Sequence, residues 1–428
     1  MSASKWKPYP EYKTARLDWL GEIPTHWKTG RLKNILRLST EKNGATPVGD
    51  MLSVSGYRGI ETKIYDHEDQ QRTDEDLKDY RVVRKGQLVV NTMWLNHSGL
   101  GVSDLEGHVS PAYRTYNIDE NYFGKFLHHL VRSSTYVGHY CSLLYGIRPN
   151  SYQVKNHDWD SVELLIPPIQ EQKDIAEFLN SFTEKVDYLI HELEQEKMLL
   201  EEKRLVLITQ AVTKGLNPDV PMKDSGIAWI GEIPNHWQKN HLKRQFYFKK
   251  GRFGQLLTAS FLEDSEAEYP VYSGQTKDGG VLGFWDEYEF EFPDGVIFST
   301  TVGAKCMTTK WINGKFSLSQ NCMIMIPKVV NIDSKYGEYF LRYYFLEEKK
   351  KLPAIMQPSL RFEDLNQFQI LLPPIEEQRQ ISTHLDSVEK RIDGMKDSTN
   401  EQIKRLNEYQ TALISAAVTG KIDIRESV

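Results

Sequence analysis

The segment Pro373-Pro374-Ile375-Glu376-Glu377-Gln378 opens a stretch of about 40 residues around which this chain is organised. A near copy, Pro167-Pro168-Ile169-Gln170-Glu171-Gln172, lies 206 positions earlier. In both copies a proline suits the first turn of a helix, where its missing N–H costs nothing. A glutamate follows near the positive end of the helix dipole, where negative charge is favoured. The sequence therefore predicts two long helices that begin in the same way.

The two stretches also end alike and share a periodicity. Ala211-Val212-Thr213 matches Ala417-Val418-Thr419, and Gly215 or Gly420 follows as a helix stop. Apolar residues between these ends recur in steps of four and three, which is typical of a coiled coil. The predicted seam comprises Ile175, Leu179, Phe182, Val186, Leu189 and Leu193 in the first helix, and Ile381, Leu385, Val388, Ile392, Met395, Leu406 and Leu413 in the second.

We expect a change of register in the first helix after Leu193. The apolar pattern resumes at Met198, Leu205, Ile208 and Val212, as a short insertion in a coiled coil would require. A long helix with a single apolar stripe needs a partner to cover that stripe. The nearest candidate is the other of the two predicted helices.

The repeat extends beyond the helices. Trp19-Leu20-Gly21-Glu22-Ile23-Pro24-Thr25-His26-Trp27 resembles Trp229-Ile230-Gly231-Glu232-Ile233-Pro234-Asn235-His236-Trp237, 210 positions on. Shorter matches between these landmarks and the helices have offsets of 209 and 207. The steady fall of the offset to 206 indicates one duplicated unit trimmed by small deletions. Strand and helix patterns within each globule predict the α+β class, whereas residues 43–80 and 253–292 share almost nothing.

Composition restricts the class of protein. A chain of 428 residues, 39% hydrophobic and 26% charged, is ordinary for a globular protein with two or three domains. No apolar run suits a membrane span and no signal peptide is visible, so we expect a cytoplasmic protein. The three cysteines form no framework of disulfides. The net charge of −6 is carried by the two predicted helices, and basic clusters lie at residues 28–42 and 239–252.

The motifs of common catalytic and metal sites are absent from the sequence. It has no phosphate-binding Gly-rich loop, no H-E-x-x-H and no paired cysteines for zinc. The Asn-Pro-Pro-Tyr type of segment, with which amino-methyltransferases hold their target base, is also missing. We therefore predict no catalytic residues, no metal ligands and no cofactor on this chain.

The residues of the two globules are suited instead to binding nucleic acid. Lysine and arginine can contact phosphates, whereas Arg, Asn and Gln can read base edges. Each such residue has an alternative role as a solvated surface charge or as a stabiliser of its own loop. The candidate DNA-binding residues are Lys33, Arg37, Lys42, Asn91, Trp94, Asn96, His97, Ser98, Tyr145, Arg148, Asn150 and Tyr152 in the first half, and Lys243, Lys249, Lys250, Arg252, Gln275, Lys277, Thr300, Thr301, Lys305, Gln357, Ser359 and Arg361 in the second.

The tryptophans and histidines of the repeated nine-residue motif have two interpretations. Trp19, Trp27 and their copies could face a partner, but beside a tight turn we expect them to pack within their own domain. His26 and His236 have no companion ligands in the sequence, so we predict a capping role or a satisfied hydrogen bond rather than a metal site.

Taken together, the motifs resemble the specificity (S) subunits of Type I restriction-modification systems. The resemblance is carried by the motif at 19–27 and its copy at 229–237, by the helix starts at 166–172 and 372–378, and by the helix ends at 211–215 and 417–421. The segment Gly99-Leu100-Gly101-Val102-Ser103, followed by Val109-Ser110-Pro111-Ala112-Tyr113, is also similar to target-recognition domains of that family. The second half departs from the pattern because it lacks the Gly-Leu-Gly-Val-Ser segment.

The resemblance implies two similar α+β target-recognition domains separated by two long antiparallel coiled-coil helices, with a pseudo-twofold repeat. The expected boundaries are 1–167 and 217–373 for the domains, 168–216 for the first spacer helix, and 374–428 for the second spacer helix and tail. It also implies double-stranded DNA as the ligand, with two modification subunits that carry S-adenosylmethionine and methylate adenine N6. Two restriction subunits, which use ATP and Mg, would complete the complex.

Two alternatives to a DNA-specificity subunit stay open at this point. The first is a cytosolic coiled-coil scaffold with two protein-binding globules. The second is an enzyme whose site uses no familiar motif, and turnover by the purified chain would reveal it.

Overall fold

The structure is a computed structural model that describes residues 6–15, 19–56, 58–65, 77–146, 153–263, 267–275, 277–351 and 358–425. The chain forms two compact units, one of Met1–Leu193 with Asn400–Val428 and one of Glu194–Thr399. Each unit therefore contains one globular module and parts of both long helices.

The first unit has short strands and helices around two four-stranded sheets. The strands are β1 (Tyr12–Thr14), β2 (Glu22–Pro24), β3 (Lys28–Arg31), β4 (Leu36–Leu38), β5 (Asp50–Ser55), β6 (Gly59–Thr62), β7 (Arg81–Val83), β8 (Leu88–Val90), β9 (Leu100–Val102), β10 (Gly107–Val109), β11 (Arg114–Ile118), β12 (Leu144–Tyr145), β13 (Gln153–Val154) and β14 (Glu163–Ile166). The helices are α1 (Leu32–Ile35), α2 (Gly124–Arg132), α3 (Ser134–Leu143), α4 (Asn156–Ser161) and the start of α5 (Ile169–Lys214).

The sheets of this unit have the orders β6-β5-β10-β7 and β4-β11-β8-β9. Only the pairing of β5 with β10 is parallel within them. All three residues of β8 are buried because both faces of the strand are covered: Leu88 and Val90 pack in the main core of the unit, and Val89 packs in a second cluster on the other face. Such a run is apolar on both faces, which explains its Leu-Val-Val sequence.

The second unit contains one larger sheet. Its strands are β15 (Met222–Asp224), β16 (Glu232–Pro234), β17 (Gln238–His241), β18 (Phe246–Lys249), β19 (Tyr269–Tyr272), β20 (Val281–Trp285), β21 (Phe290–Thr300), β22 (Thr309–Leu318), β23 (Cys322–Pro327) and β24 (Gln369–Leu372), with the six-stranded order β18-β23-β21-β22-β19-β20. Its helices are α6 (Leu242–Gln245), α7 (Ala259–Leu262), α8 (Ser334–Lys350), α9 (Phe362–Gln367) and the start of α10 (Ile375–Val418).

The two units share one ground plan despite their different sheets. A two-stranded pair, β3 with β14 or β17 with β24, leads directly into a long helix in each unit. The end of the other long helix completes the core: Ala417 and Val418 lie in the first core, and Ala211 and Val212 in the second. Gly420 has a φ of 72°, and a Cβ there would lie 2.4 Å from Cδ of Pro24, so glycine is required at this helix end.

The long helices α5 and α10 pair side by side within each unit. In the second unit Arg204 forms an ion pair with Asp393, and Glu201, one turn earlier, pairs with Lys396. The residue number in α10 rises from 393 to 396 as the residue number in α5 falls from 204 to 201, so the two helices are antiparallel. In the first unit the ring of Phe182 meets Tyr409 edge-on at 5.6 Å. The predicted fold class is thereby confirmed.

The seam of α5 does change register, but between Val186 and Ile190 and not after Leu193 as predicted. Of the four positions predicted beyond Leu193, Ile208 and Val212 are buried in the core of the second unit, and the other two are not. Met198 is 65% exposed and Leu205 also faces solvent, whereas Leu200 is buried at 7%. Two members of the predicted seam, Leu189 and Met395, are exposed as well. The shielded positions are Ile175, Leu179, Phe182, Val186, Ile190, Leu193, Lys197, Leu200, Arg204, Leu207 and Ala211, and in α10 Ile381, Leu385, Val388, Ile392, Lys396, Thr399, Ile403, Leu406, Gln410, Leu413 and Ala417.

These two sets are the same positions displaced by 206 residues. Steps of three and four continue through both helices, with one repeated step of four, from Val186 to Ile190 and from Ile392 to Lys396. The apolar pattern in the sequence did not give these seam positions correctly, because charged residues such as Lys197 and Arg204 occupy some of them. Their aliphatic stems cover the seam while their charged heads reach Glu194 and Asp393 at its edge.

No helix of the described residues has an apolar stretch long enough to span a membrane.

Candidate nucleic-acid interface

A buried carboxylate joins the first module to its long helix. Glu171, in the first turn of α5, accepts hydrogen bonds at Oε1 from the Tyr9 hydroxyl at 2.6 Å and from Trp27 Nε1 at 3.0 Å. Its Oε2 lies 2.8 Å from Nε2 of His26. Burial, the hydrogen bond to Glu171 and the charge of that carboxylate raise the pKa of Tyr9, which stays a donor. The His-Trp end of the nine-residue motif thus binds the glutamate of the helix start.

The second unit repeats this junction. Glu377 accepts a hydrogen bond from Trp237 Nε1 at 3.0 Å, and its Oε2 lies 2.7 Å from Nε2 of His236. Both Trp27 and Trp237 are fully buried, as expected for structural tryptophans. The prediction that His26 and His236 make satisfied hydrogen bonds is confirmed. The described residues contain no cluster of three or more His, Cys, Asp or Glu that could hold a metal ion.

A glutamine next to each glutamate completes the junction. Gln172 Oε1 accepts from the backbone N–H of Phe123 at 2.7 Å, and its Nε2 donates to the carbonyl of Pro167 at 2.9 Å. Gln378 makes the matching pair of bonds to the N–H of Asp333 and the carbonyl of Pro373. Phe123 and Asp333 are therefore equivalent positions, each just before the helix that follows the module's sheets.

The first candidate loop, which follows β8, presents an aromatic residue and a histidine to solvent. Trp94 is 45% exposed, and the ring of the exposed His97 lies 5.6 Å from it. Asn91, by contrast, is buried, and its Oδ1 accepts from the N–H of Met93 at 3.2 Å. The structure therefore gives Asn91 the role of holding the turn. Asn96 is partly buried, and Ser98 has left-handed backbone, with a φ of 55°.

A second surface of the first unit surrounds the hairpin of β12 and β13. Tyr145 is 48% exposed, and Nζ of Lys155 lies 5.5 Å from its ring centre. Arg114 donates to Oδ1 of the neighbouring Asn156 at 2.8 Å. The basic runs in the sequence did not indicate Lys155 or Arg114, because neither residue lies in such a run. The predicted residues Arg148, Asn150 and Tyr152 lie outside the described residues.

In the second unit three predicted residues converge. Lys250, Ser359 and Arg361 line one pocket of about 260 Å³. Phe362 belongs to the same wall, is 44% exposed and lies 5.8 Å from Nζ of Lys250. The two cations, the hydroxyl and the accessible ring are groups with which proteins bind phosphates and bases, and they share the pocket wall with the carboxylate of Glu363.

Other predicted residues of the second unit have structural positions. Thr300 and Thr301 are buried, and the hydroxyl of Thr300 donates to the carbonyl of Lys305. Their burial removes both from direct contact with a ligand, while Lys305 itself is exposed. Gln275 donates to the carbonyl of Val281, within its own turn. Gln357 and the side chain of Lys277 lie outside what the structure describes.

The remaining basic candidates lie on the surface. Lys33, Arg37 and Lys42 are exposed in the first unit, and Lys42 Nζ lies 3.1 Å from Oδ1 of Asp79. Lys243, Lys249, Lys250 and Arg252 are exposed in the second unit.

One pair of cations occupies equivalent places in the two units. Lys155 directly precedes α4 and Arg361 directly precedes α9, and the bounds of these six-residue helices differ by 206. The offset could have identified Lys155 from Arg361 in the sequence.

Comparisons with known proteins agree with the resemblance. Residues 246–405 match the family model of the Type I restriction modification DNA specificity domain. A putative type I restriction enzyme MjaX specificity subunit of Methanocaldococcus jannaschii is 23% identical over 95% of this chain and 96% of its own length. A putative type I specificity subunit of Mycoplasma pneumoniae is 26% identical over 59% of this chain and 93% of its own length.

Among solved structures, one described as "Structural basis underlying complex assembly and conformational transition of the type I R-M system" contains a similar chain. The TM-score is 0.68 at 17% identity, covering 94% of this chain and 99% of that one, so the two share a fold. The resemblance recognised in the sequence is confirmed.

Proposed function

We propose that this chain is the DNA sequence-specificity subunit of a Type I restriction-modification complex. Its similarity to Type I specificity subunits in sequence and in fold supports the proposal. Its two modules, with proposed boundaries at 1–167 and 217–373, each read one half of a bipartite site in double-stranded DNA. The chain itself contributes recognition and assembly, and the chemistry belongs to its partner subunits.

One observation carries this proposal: the two units share a junction but differ on their accessible surfaces. The Glu171 and Glu377 junctions match bond for bond at their tryptophan and histidine. The first unit exposes Trp94 and Tyr145, whereas the second exposes Phe362 beside its cations. Two modules with the same junction to their long helices but with different exposed surfaces are suited to two half-sites of different sequence. The target is therefore asymmetric.

The long helices α5 and α10 set the distance between the half-sites in this proposal. Half-sites read from one side of a duplex are separated by about one helical turn, roughly 34 Å, or a multiple of it. A paired and continuous seam resists bending, whereas a flexible linker would accept many gaps. The gap between half-sites is then a property of the number of residues in the helices.

The partners follow from the proposed function. Two modification (methyltransferase) subunits dock on this chain, bind S-adenosylmethionine and methylate adenine, and two restriction subunits supply the ATP- and Mg-dependent step. The names of the relatives as specificity subunits support this division of labour.

The test is a selection from random double-stranded DNA. The chain is purified with its modification subunits, and bound fragments are sequenced over several rounds. We expect two short, different blocks with a constant gap between them, both protected in a footprint. Binding without sequence preference, together with a stable complex to proteins unrelated to restriction-modification, would favour the coiled-coil scaffold instead.

A further inference from the structure

Arg132, in the last turn of α2, holds two backbone segments of the first unit. The two N–H groups of its Nη1 are shared among the carbonyls of Ser98 at 3.0 Å, Leu100 at 2.6 Å and Ser55 at 3.2 Å. Its Nη2 donates to the carbonyl of Gly56 at 2.9 Å. The guanidinium therefore joins the end of β5 to the loop between β8 and β9. That loop is the one that exposes Trp94 and His97.

The two segments meet backbone to backbone. A Cβ on Gly56 would lie 2.4 Å from the carbonyl oxygen of His97, so no side chain fits between them. Ser98 adopts a φ of 55°, which is uncommon for a residue other than glycine and needs support from its surroundings. The hydrogen bond from Arg132 to the Ser98 carbonyl supplies such support.

The second unit places an arginine at the equivalent position. Phe123 and Asp333 are matched by their bonds to Gln172 and Gln378, which makes Arg132 equivalent to Arg342. The residues one turn before the two arginines are equivalent as well. His129 forms a hydrogen bond with Asn180 of α5, and Tyr339 forms one with Asp386 of α10.

Arg342 has carboxylate partners. Its Nη2 donates to Glu338 at 2.8 Å, one turn earlier in α8, and its Nη1 donates to Glu389 of α10 at 2.5 Å. Arg342 thus ties its helix to the long helix and does not reach a loop through these bonds.

The neighbours of the two arginines explain this difference. His128 takes the place of Glu338, and Thr183 takes the place of Glu389. Burial and the charge of Arg132 lower the pKa of His128 to about 3, so this ring is neutral at physiological pH. Its Nδ1 accepts from the N–H of Val102 at 3.2 Å. With no carboxylate at either position, the guanidinium is directed to backbone carbonyls.

We propose that Arg132 is a specificity-determining positioning residue: it fixes the loop carrying Trp94 and His97, so that the first module reads its half-site with one loop geometry. The inference rests on the proposed function. It assigns Arg132 no contact with DNA, since Nη1 and Nη2 both donate to carbonyls of its own domain.

The experiment uses three variants of the full chain bound to its modification subunits. Arg132→Gln removes the guanidinium. Thr183→Glu keeps it but places a carboxylate where the second unit has Glu389, beside a cavity of about 440 Å³ that has room for the longer side chain. Arg342→Gln is the matched control, which removes an arginine at the equivalent position of the other module.

Two measurements are made on each variant. The first is amide hydrogen exchange of residues 94–100, which needs no DNA; we expect about tenfold faster exchange in Arg132→Gln and Thr183→Glu, and no change there in Arg342→Gln. The second is the ratio of Kd values for the selected site and for sites with one half-site scrambled. A loss of folded protein lowers the bound fraction equally for all sites, so it does not alter this ratio.

We expect discrimination at one half-site to fall about tenfold or more in the first two variants, the size of one lost base contact, with the other half-site unaffected. Arg342→Gln leaves both ratios unchanged. Unchanged exchange and an unchanged ratio in Thr183→Glu, or in a folded Arg132→Gln, would overturn the inference while leaving the proposed function intact. If the wild-type complex enriches no bipartite sequence at all, the proposed function fails and the inference with it.

Discussion

The indole Nε1 of Trp27 donates to Oε1 of Glu171 at 3.0 Å, across 144 positions of sequence. This bond connects the turn at the start of the first module to the first turn of its long helix. The carboxylate is shielded and serves Tyr9 and His26 as well, so its loss would leave buried donors without a partner.

Replacing Glu171 with glutamine tests the junction. The amide has one acceptor oxygen for three donors, and we expect the free energy of unfolding to fall by about 2 kcal/mol. The control is Glu377→Gln, because Glu377 is more exposed and has two of these donors, Trp237 and His236. Urea denaturation followed by tryptophan fluorescence should show the smaller loss for Glu377→Gln. Equal losses would mean that the Tyr9 bond adds nothing.

The corrected seam of α5 is tested by two adjacent leucines. Leu200 is 7% exposed and Leu199 is 64% exposed. We expect Leu200→Ala to lower the free energy of unfolding by about 2 to 3 kcal/mol, because it leaves a gap in the seam. Leu199→Ala removes the same atoms from the surface and should stay within about 0.5 kcal/mol of the wild type. The reverse order would instead favour the seam positions that the sequence pattern predicted, Met198 and Leu205.

The lowered pKa of His128 implies that the free energy of unfolding depends on pH. Its pKa is about 3 in the folded chain, whereas an unfolded histidine has a pKa of about 6.5. Between these values the unfolded state binds a proton that the folded state does not. The contribution of His128 is therefore complete above about pH 6.5 and is lost as the pH falls, by about 1.4 kcal/mol per pH unit.

The measurement is urea unfolding of the wild type and His128→Asn at pH 7.0 and 5.5. Asparagine keeps an acceptor for the N–H of Val102 but has no proton to gain. We expect the variant to lose about 1.4 kcal/mol less than the wild type over this interval. Parallel losses in the two proteins would show that His128 does not carry this dependence.

The pocket of Lys250, Ser359 and Arg361 predicts a phosphate contact. Arg361→Ala should weaken binding to every DNA sequence to a similar degree and reduce the slope of log Kd against log salt by about 1. Arg379→Ala is the control, since it removes the same charge from α10, where Arg379 pairs with Glu376 at 2.8 Å. A change in base preference with an unchanged salt slope would assign Arg361 to base reading instead.

Short sequence patterns correctly predicted those structural elements whose formation depends only on neighbouring residues. The two helix starts, the helix ends at glycine and the duplication of the Trp27 motif follow from caps, dipoles and repeats within short stretches. The partner of Trp27 could not be predicted, because Glu171 meets it only after the whole module has folded. The charged seam residues Lys197 and Arg204 were missed because an apolar pattern counts side-chain heads and ignores aliphatic stems.

The candidate DNA-binding residues depend more on long-range packing than the helix ends do. Thr300 and Asn91 have side chains able to bind DNA, yet both are buried because their hydroxyl and amide groups serve the backbone. Arg132 acts on backbone carbonyls more than 30 positions away, which no local sequence pattern reveals, whereas Lys155 could be found from Arg361 through the 206-residue offset. The duplication itself helps little here, since the modules diverge most where they are expected to meet DNA.

The spacing of the two half-sites tests the central claim most directly. Deleting residues 193–199 together with 399–405 removes one heptad from each long helix and brings Leu200 and Leu406 into the seam positions of Leu193 and Thr399. The paired helices become shorter by about 10 Å, so we expect the selected gap to shrink by about 3 base pairs while both blocks keep their sequence. An unchanged gap between unchanged blocks would contradict the account.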